Sequence, residues 1–298
     1  MRWLIVAGVL ALGVAGCTNY QEQEKDVSAD ISSGKLSGEA LARAHVEHGR
    51  LLAASGDLDG AMTDLDAAVA AAPALAVAYA FRAEVKFARS DIDGAFADYD
   101  QAIAFSAADD PSGYLMRGHA YNEHGDYQRA AADYDQAIKR EKVWPAFAGH
   151  GIALAQLGED DRAFADLTEG LKEPWQRVFL FPRKTPFSMG AAHGEQIEGY
   201  LFNAAPLVAS ARFARGKILL KRDAYDDAVD DFDSAISKAG SFPQAEIYRG
   251  LAKLGRGDCA AGMEDVRAGA ALATTTAEAV MQEHHAFVAG TKCGGRAT

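Results

Sequence analysis

The stretch YLMRGHAYNEHGDYQRAAADYDQAI, residues 114 to 138, recurs in imperfect copies along most of the chain. Self-similarity at a fixed period leaves few architectures open. Tyr114, Gly118 and Tyr121 fall on one face of a first helix, and Gly125-Asp126 supplies a turn. Ala130, Tyr134, Ala137 and Ile138 then fall on one face of a second helix. The copies align on a small residue of the first helix: Gly49, Ala83, Gly118, Gly151, Gly216 and Gly250. Their second helices carry small residues at Ala61, Ala95, Ala130, Ala163, Ala228 and Gly262, so that backbones can approach closely. A large apolar residue follows in each (Leu65, Tyr99, Tyr134, Leu167, Phe232, Val266), placed to fill the gap between neighbouring helix pairs. The turns Gly56-Asp57, Ser90-Asp91, Gly125-Asp126, Gly158-Glu159 and Gly257-Asp258 end one helix and start the next. The fifth copy departs with Asp223-Ala224, and the sixth carries Glu246 where an aromatic is expected. The expected fold is all-α, a solenoid of about six helix-turn-helix repeats.

Abundant Ala and few β-branched runs agree with helices. The net charge of -12 argues against nucleic acid, whose phosphates need clustered Lys and Arg, and fits a basic or cationic protein partner. Repeats one to four occupy residues 40–173 and repeats five and six 207–275. Between them, residues 174–206 hold four of the eight prolines together with Trp175, Phe179, Phe181, Phe187, Tyr200 and Phe202. This insertion either carries partner specificity, through Trp175, Phe179, Phe181 and Arg183, or seals the junction between repeats four and five. Residues 276–298 form a capping helix and tail over the open apolar end that a solenoid must cover.

The helix pair resembles the tetratricopeptide repeat, whose period is about 34 residues, and the resemblance implies a right-handed solenoid. At the other end of the chain, Arg2 precedes an apolar run from Trp3 to Val14, too short for a comfortable span and placed like a secretory signal. It ends in Val14-Ala15-Gly16-Cys17, which resembles the bacterial lipobox, against the alternative of an ordinary signal peptide with a chance cysteine. The resemblance implies that residues 1–16 are removed and that Cys17 is lipidated. Residues 17–39 are polar without apolar periodicity, and we expect a flexible tether there. A lipidated chain of such repeats resembles the NlpI-like envelope adaptors of bacteria. The implied function is a non-enzymatic scaffold, anchored in the outer membrane and facing the periplasm, that binds envelope proteins through its groove and insertion. The alternative is an assembly factor or structural subunit of an envelope machine such as a pilus, secretion or outer-membrane assembly complex.

By the same resemblance the groove-facing first-helix positions correspond to Arg50, Glu84, His119, Ile152, Lys217 and Leu251, with Phe87, Asn122, Phe213 and Leu220 nearby. This wall is mixed, lacks the Lys and Asn set that clamps a peptide carboxylate in chaperone-binding relatives, and accepts an extended or helical segment unless the insertion fills part of it. A basic residue precedes each small residue (His48, Arg82, Arg117, His150, Arg215, Arg249), and an aspartate recurs in each second helix (Asp64, Asp98, Asp133, Asp166, Asp231, Asp265). We expect structural pairs from them rather than a binding stripe. His45 with His48, and His284 with His285, gather too few ligands for a metal, and no nearby carboxylate partner is evident. No metal, cofactor or catalytic motif is expected. With Cys17 lipidated and the chain in an oxidising compartment, Cys259 and Cys293 are the remaining thiols and are expected to close a disulfide.

Overall fold

A computed structural model describes residues 17–172, 179–189, 192–201 and 204–272, with 280, 282, 291 and 293 beyond them. The signal segment, Trp175 and most of the expected capping helix lie outside the described residues. Chain contacts divide the molecule into two compact units, Met1–Ala146 with Gln176–Asn203, and Phe147–Trp175 with Ala204–Thr298.

The first unit opens with α1 (Cys17–Ser32), followed by the pairs α2 (Gly38–Ser55) with α3 (Leu58–Ala71), α4 (Ala76–Ala88) with α5 (Ile92–Phe105), and α6 (Ser112–His124) with α7 (Tyr127–Arg140). First helices touch in order, α2 to α4 to α6, so that they form one continuous wall. A flexible tether was expected over 17–39; the structure instead places α1 there, packed on α2. The Gln, Glu and Lys that read as solvated linker are strong helix formers, and Glu24, Val27, Ser28 and Ile31, at i, i+3, i+4 and i+7, are half-buried along one face.

The second unit holds α8 (Trp144–Gln156, from Phe147 on) with α9 (Asp160–Gly170), α10 (Ala204–Lys221) with α11 (Tyr225–Ala239), and α12 (Pro243–Arg256) with α13 (Cys259–Leu272). Repeat five begins earlier than the expected 207: α10 starts at Ala204 and takes Pro206 in its first turn, where a missing N–H costs nothing. Although 33 residues of sequence separate repeats four and five, α9 and α10 are direct neighbours. Lys221 Nζ reaches Asp160 at 2.8 Å and Arg222 reaches Asp161 at 2.5 Å.

The repeated residues fold each pair for identifiable reasons. A Cβ built on Gly151 would lie 2.6 Å from Leu167 Cγ, and one on Gly216 2.7 Å from Phe232 Cε1. The large second-helix residue therefore seats under the small first-helix residue of its own repeat, inside the pair as well as against the next one. Each first helix ends in the same six-to-one backbone bond, from Asp57 N to Leu52 O at 2.9 Å through Asp258 N to Lys253 O at 2.9 Å. The residue before it takes left-handed backbone, φ 93° at Gly56 but also 67° at Ser90 and 57° at Asp223. Asp57, Asp91 and Asp126 then cap the second helices by accepting from Gly60, Gly94 and Arg129 N–H.

The insertion folds as an antiparallel ribbon of β1 (Phe179–Met189) and β2 (Ala192–Leu201), which clusters with the first unit and approaches α6 through β1. It was expected only as a Pro- and aromatic-rich interruption of an otherwise all-α chain. Arg183 pairs with Glu198 and Pro186 with Glu195, and the register breaks between Leu180 and Arg183, around Pro182.

Candidate functional site

The recurring basic residues and aspartates meet. Arg82 gives Nε and Nη2 to the two oxygens of Asp98, both at 2.8 Å, and Arg117 does the same to Asp133 at 2.8 and 2.7 Å. Arg249 is bidentate on Asp265, and Arg215 on Asp231, which also accepts from Arg212. The remaining guanidinium nitrogen reaches back one repeat: Arg82 to Asp66 at 2.8 Å, Arg117 to Asp100, and Arg249 to Asp233 at 2.6 Å. One guanidinium thus closes its own helix pair and ties it to the preceding one, using the fixed fork that lysine lacks. Asp98 and Asp231 are 4 % and 1 % exposed, so these are structural pairs, as expected.

Their protonation differs by neighbour. Burial opposes ionisation of Asp98, but Arg82 and Lys86, the latter at 2.7 Å, together hold its carboxyl below the usual range. Asp265, with Arg249 and Lys253, behaves likewise. Asp133 has Arg117 without a lysine, and burial, aided by Asp100, raises it.

His48 meets Asp64 at the ladder's own spacing, as expected of it, and the structure adds His45 to the same carboxylate. His45 and His48 turn Nδ1 to the two oxygens of Asp64 at 2.7 and 2.6 Å, from 19 and 16 residues away. The same two positions are filled by Arg212 and Arg215 on Asp231, so this is the repeat's pairing in another chemistry. Among the described residues no group of three or more His, Cys, Asp or Glu could hold a metal ion.

The wall of first helices in the first unit presents unlike residues at equivalent positions. Arg50 is held by Glu47 through two bonds of 3.0 and 2.5 Å. Glu84 is pushed up to about 8 by burial, against the pull of Arg50, and His119 is pushed down to about 4 by burial alone. Phe87 stands edge-on to Phe96, which stacks on Tyr121 at 4.2 Å, and Asn122 donates to the Tyr134 hydroxyl at 3.4 Å. Burial thus favours the neutral acid at Glu84 and the neutral imidazole at His119, beside a compensated arginine.

In the second unit the expected wall is largely packing. Leu251 is fully buried in the core and is corrected from wall to core. Phe213 sits 4.8 Å from Phe242 and 5.4 Å from Tyr248, and Lys217 lies over the Tyr248 ring at 5.2 Å. Tyr248 supplies this aromatic partner where Glu246 had marked the repeat as degenerate. Phe179, Phe181 and Arg183 fall on β1. Sequence reading also missed a cleft of about 430 Å³ in the first unit, between the repeat-joining loops, lined in part by Arg43, Pro73, Leu75, Phe105 and Asp110.

Cys259, the first residue of α13, is bonded to Cys293 with Cα atoms 5.3 Å apart. Cys293 and Val280 are buried against Leu254 and its neighbours, so the C-terminal stretch contributes to the second unit's core.

Comparison with known proteins agrees with this geometry. Residues 115–176 and 195–246 match the tetratricopeptide repeat family. Those two stretches match tetratricopeptide repeats, a class whose stacked helix pairs present extended binding surfaces. Solved structures that share the fold include the following three. The APC/C hetero-tetramer Cut9-Hcn1 is 13 % identical with a TM-score of 0.68 over 88 % of this chain, which spans only 46 % of that one. PilF of Pseudomonas aeruginosa is 15 % identical with a TM-score of 0.61, over 81 % of this chain and 97 % of its own. PilW, a type IV pilus biogenesis factor, is 15 % identical with a TM-score of 0.59, over 81 % and 98 %. No curated protein sequence matches the chain.

Proposed function

We propose that this protein is a membrane-anchored adaptor of the bacterial cell envelope, held by lipid on Cys17 and binding a partner protein through the first-helix wall and the insertion. One observation carries the binding half. Residues that repeat are consumed in packing and ion pairs, whereas Arg50, Glu84 and His119 differ from one repeat to the next on a shared wall. A solenoid specifies a partner through its non-repeating positions. The lipobox-like Val14-Ala15-Gly16-Cys17 supports the anchoring half. No described helix is long and apolar enough to cross a membrane. The likeness to PilW favours a second reading, an assembly factor or structural subunit of an envelope machine.

The test is affinity capture from detergent-solubilised envelopes with wild type and with Arg50→Glu, His119→Glu. The adaptor reading expects a soluble envelope protein that the double variant loses while it keeps its helix content by circular dichroism. Capture of integral machine subunits instead favours the assembly reading. A retained set identical for both proteins sinks the wall as the binding site.

A further inference from the structure

The ribbon of the insertion has two outer edges, and backbone chemistry makes them unequal. Opposed residues in an antiparallel pair alternate between those that exchange two hydrogen bonds and those that exchange none. Pro186 has no N–H, so its pair with Glu195 is of the second kind, and the backbone groups of Glu195 turn away from β1. By alternation His193 and Ile197 do the same. The outer edge of β2 thus offers donors and acceptors at three alternate residues without a proline in the strand. The outer edge of β1 lacks a donor at Pro186, and its register breaks around Pro182, which are devices that close an edge to pairing.

We propose that the outer edge of β2 is a strand-docking site for an extended, basic segment of a partner protein. This names the form of the partner and rests on the adaptor reading. Among the described residues the sheet has two strands, and a ribbon of two strands is marginal in water, so a third adds backbone bonds where they are most needed. Charge selects the occupant. β2 carries Glu195 and Glu198 and neither Lys nor Arg, and while Glu198 lies opposite Arg183, Glu195 lies opposite Pro186, so Lys or Arg on an added strand beside Glu195 is attracted. A second copy is a poorer occupant. Two-fold pairing centred on Glu195 sets like charges opposite one another.

The probe is a short acetylated and amidated peptide of alternating Lys and Val, with an alternating Glu and Val peptide as control, titrated into the whole protein. The basic peptide is expected to bind about tenfold or more tightly than the acidic one and to slow amide exchange at His193, Glu195 and Ile197. Ile197→Pro removes an outward N–H and should weaken binding at least about tenfold, while exchange at the inward amides of β2 stays slow. Glu195→Lys with Glu198→Lys leaves the backbone edge intact and should reverse the charge preference. The proposal is overturned by peptide binding that Ile197→Pro leaves unchanged, by no binding of either peptide, or by a dimer in sedimentation that Ile197→Pro dissolves. Envelope capture separates the two failures. A partner retained equally by wild type and Ile197→Pro sinks the edge and leaves the adaptor standing, whereas peptide binding without any envelope partner does the reverse.

Discussion

At the scale of single residues, the ion pairs make predictions that depend on how many cations each aspartate has. Arg117→Met leaves buried Asp133 without its bidentate partner and should cost about 3 to 5 kcal/mol, the range for stranding a buried charge. Arg82→Met leaves Lys86 on Asp98 and should cost less; equal shifts in urea midpoint for the two variants would refute the lysine's role. The pH dependence follows with opposite signs. Asp98 and Asp265 are depressed, so their contribution is complete above an ordinary aspartate pKa and is lost as pH falls through their folded values. Asp133 is raised, so the folded protein takes its proton first and that carboxyl favours folding as pH falls from neutrality. Carboxyl carbon NMR titration checks the order: Asp133 must protonate at higher pH than Asp98 and Asp265.

At the scale of the element, the turn and the close helix contact can be altered separately. Ser90 occupies left-handed backbone that glycine fills in four other repeats. Ser90→Gly should stabilise by about 0.5 to 1 kcal/mol, the left-handed strain relieved less the added freedom of the unfolded chain. Gly170→Ala should do the reverse, because its Cβ would lie 2.6 Å from the backbone N of Ala148, and backbone cannot step aside as a side chain can. A loss of about 1 to 3 kcal/mol by thermal or urea unfolding is expected. These positions were legible beforehand because a period places them. The ribbon was not, since its Pro and aromatic residues follow neither helical nor strand alternation cleanly. Nor was α1, whose polar residues match linker composition as well as helix propensity.

At the scale of the whole molecule, the Cys259–Cys293 bridge ties the C-terminal stretch to the last repeat across a separation of 34 residues. Cys293→Ser should cost about 3 to 4 kcal/mol on the chain-entropy estimate, and denatured, unreduced protein should show no free thiol from this pair. Two titratable thiols in addition to any at Cys17 would exclude the bridge. What the sequence by itself determined is whatever recurs: the helix pairs, the small residue over the large one, the shared turn, and the Arg–Asp partners at a constant spacing of 16. Those relations sit within one repeat or between adjacent ones, where chain geometry leaves almost no choice. Tertiary structure alone decided the rest. It added His45 to Asp64, sent the third guanidinium nitrogen back to Asp66, Asp100 or Asp233, and drew Leu251 from the expected wall into the core. The physical reason is that burial and charge pairing depend on which groups a neighbouring element brings within a few ångströms, and at non-repeating positions no spacing along the chain encodes that distance.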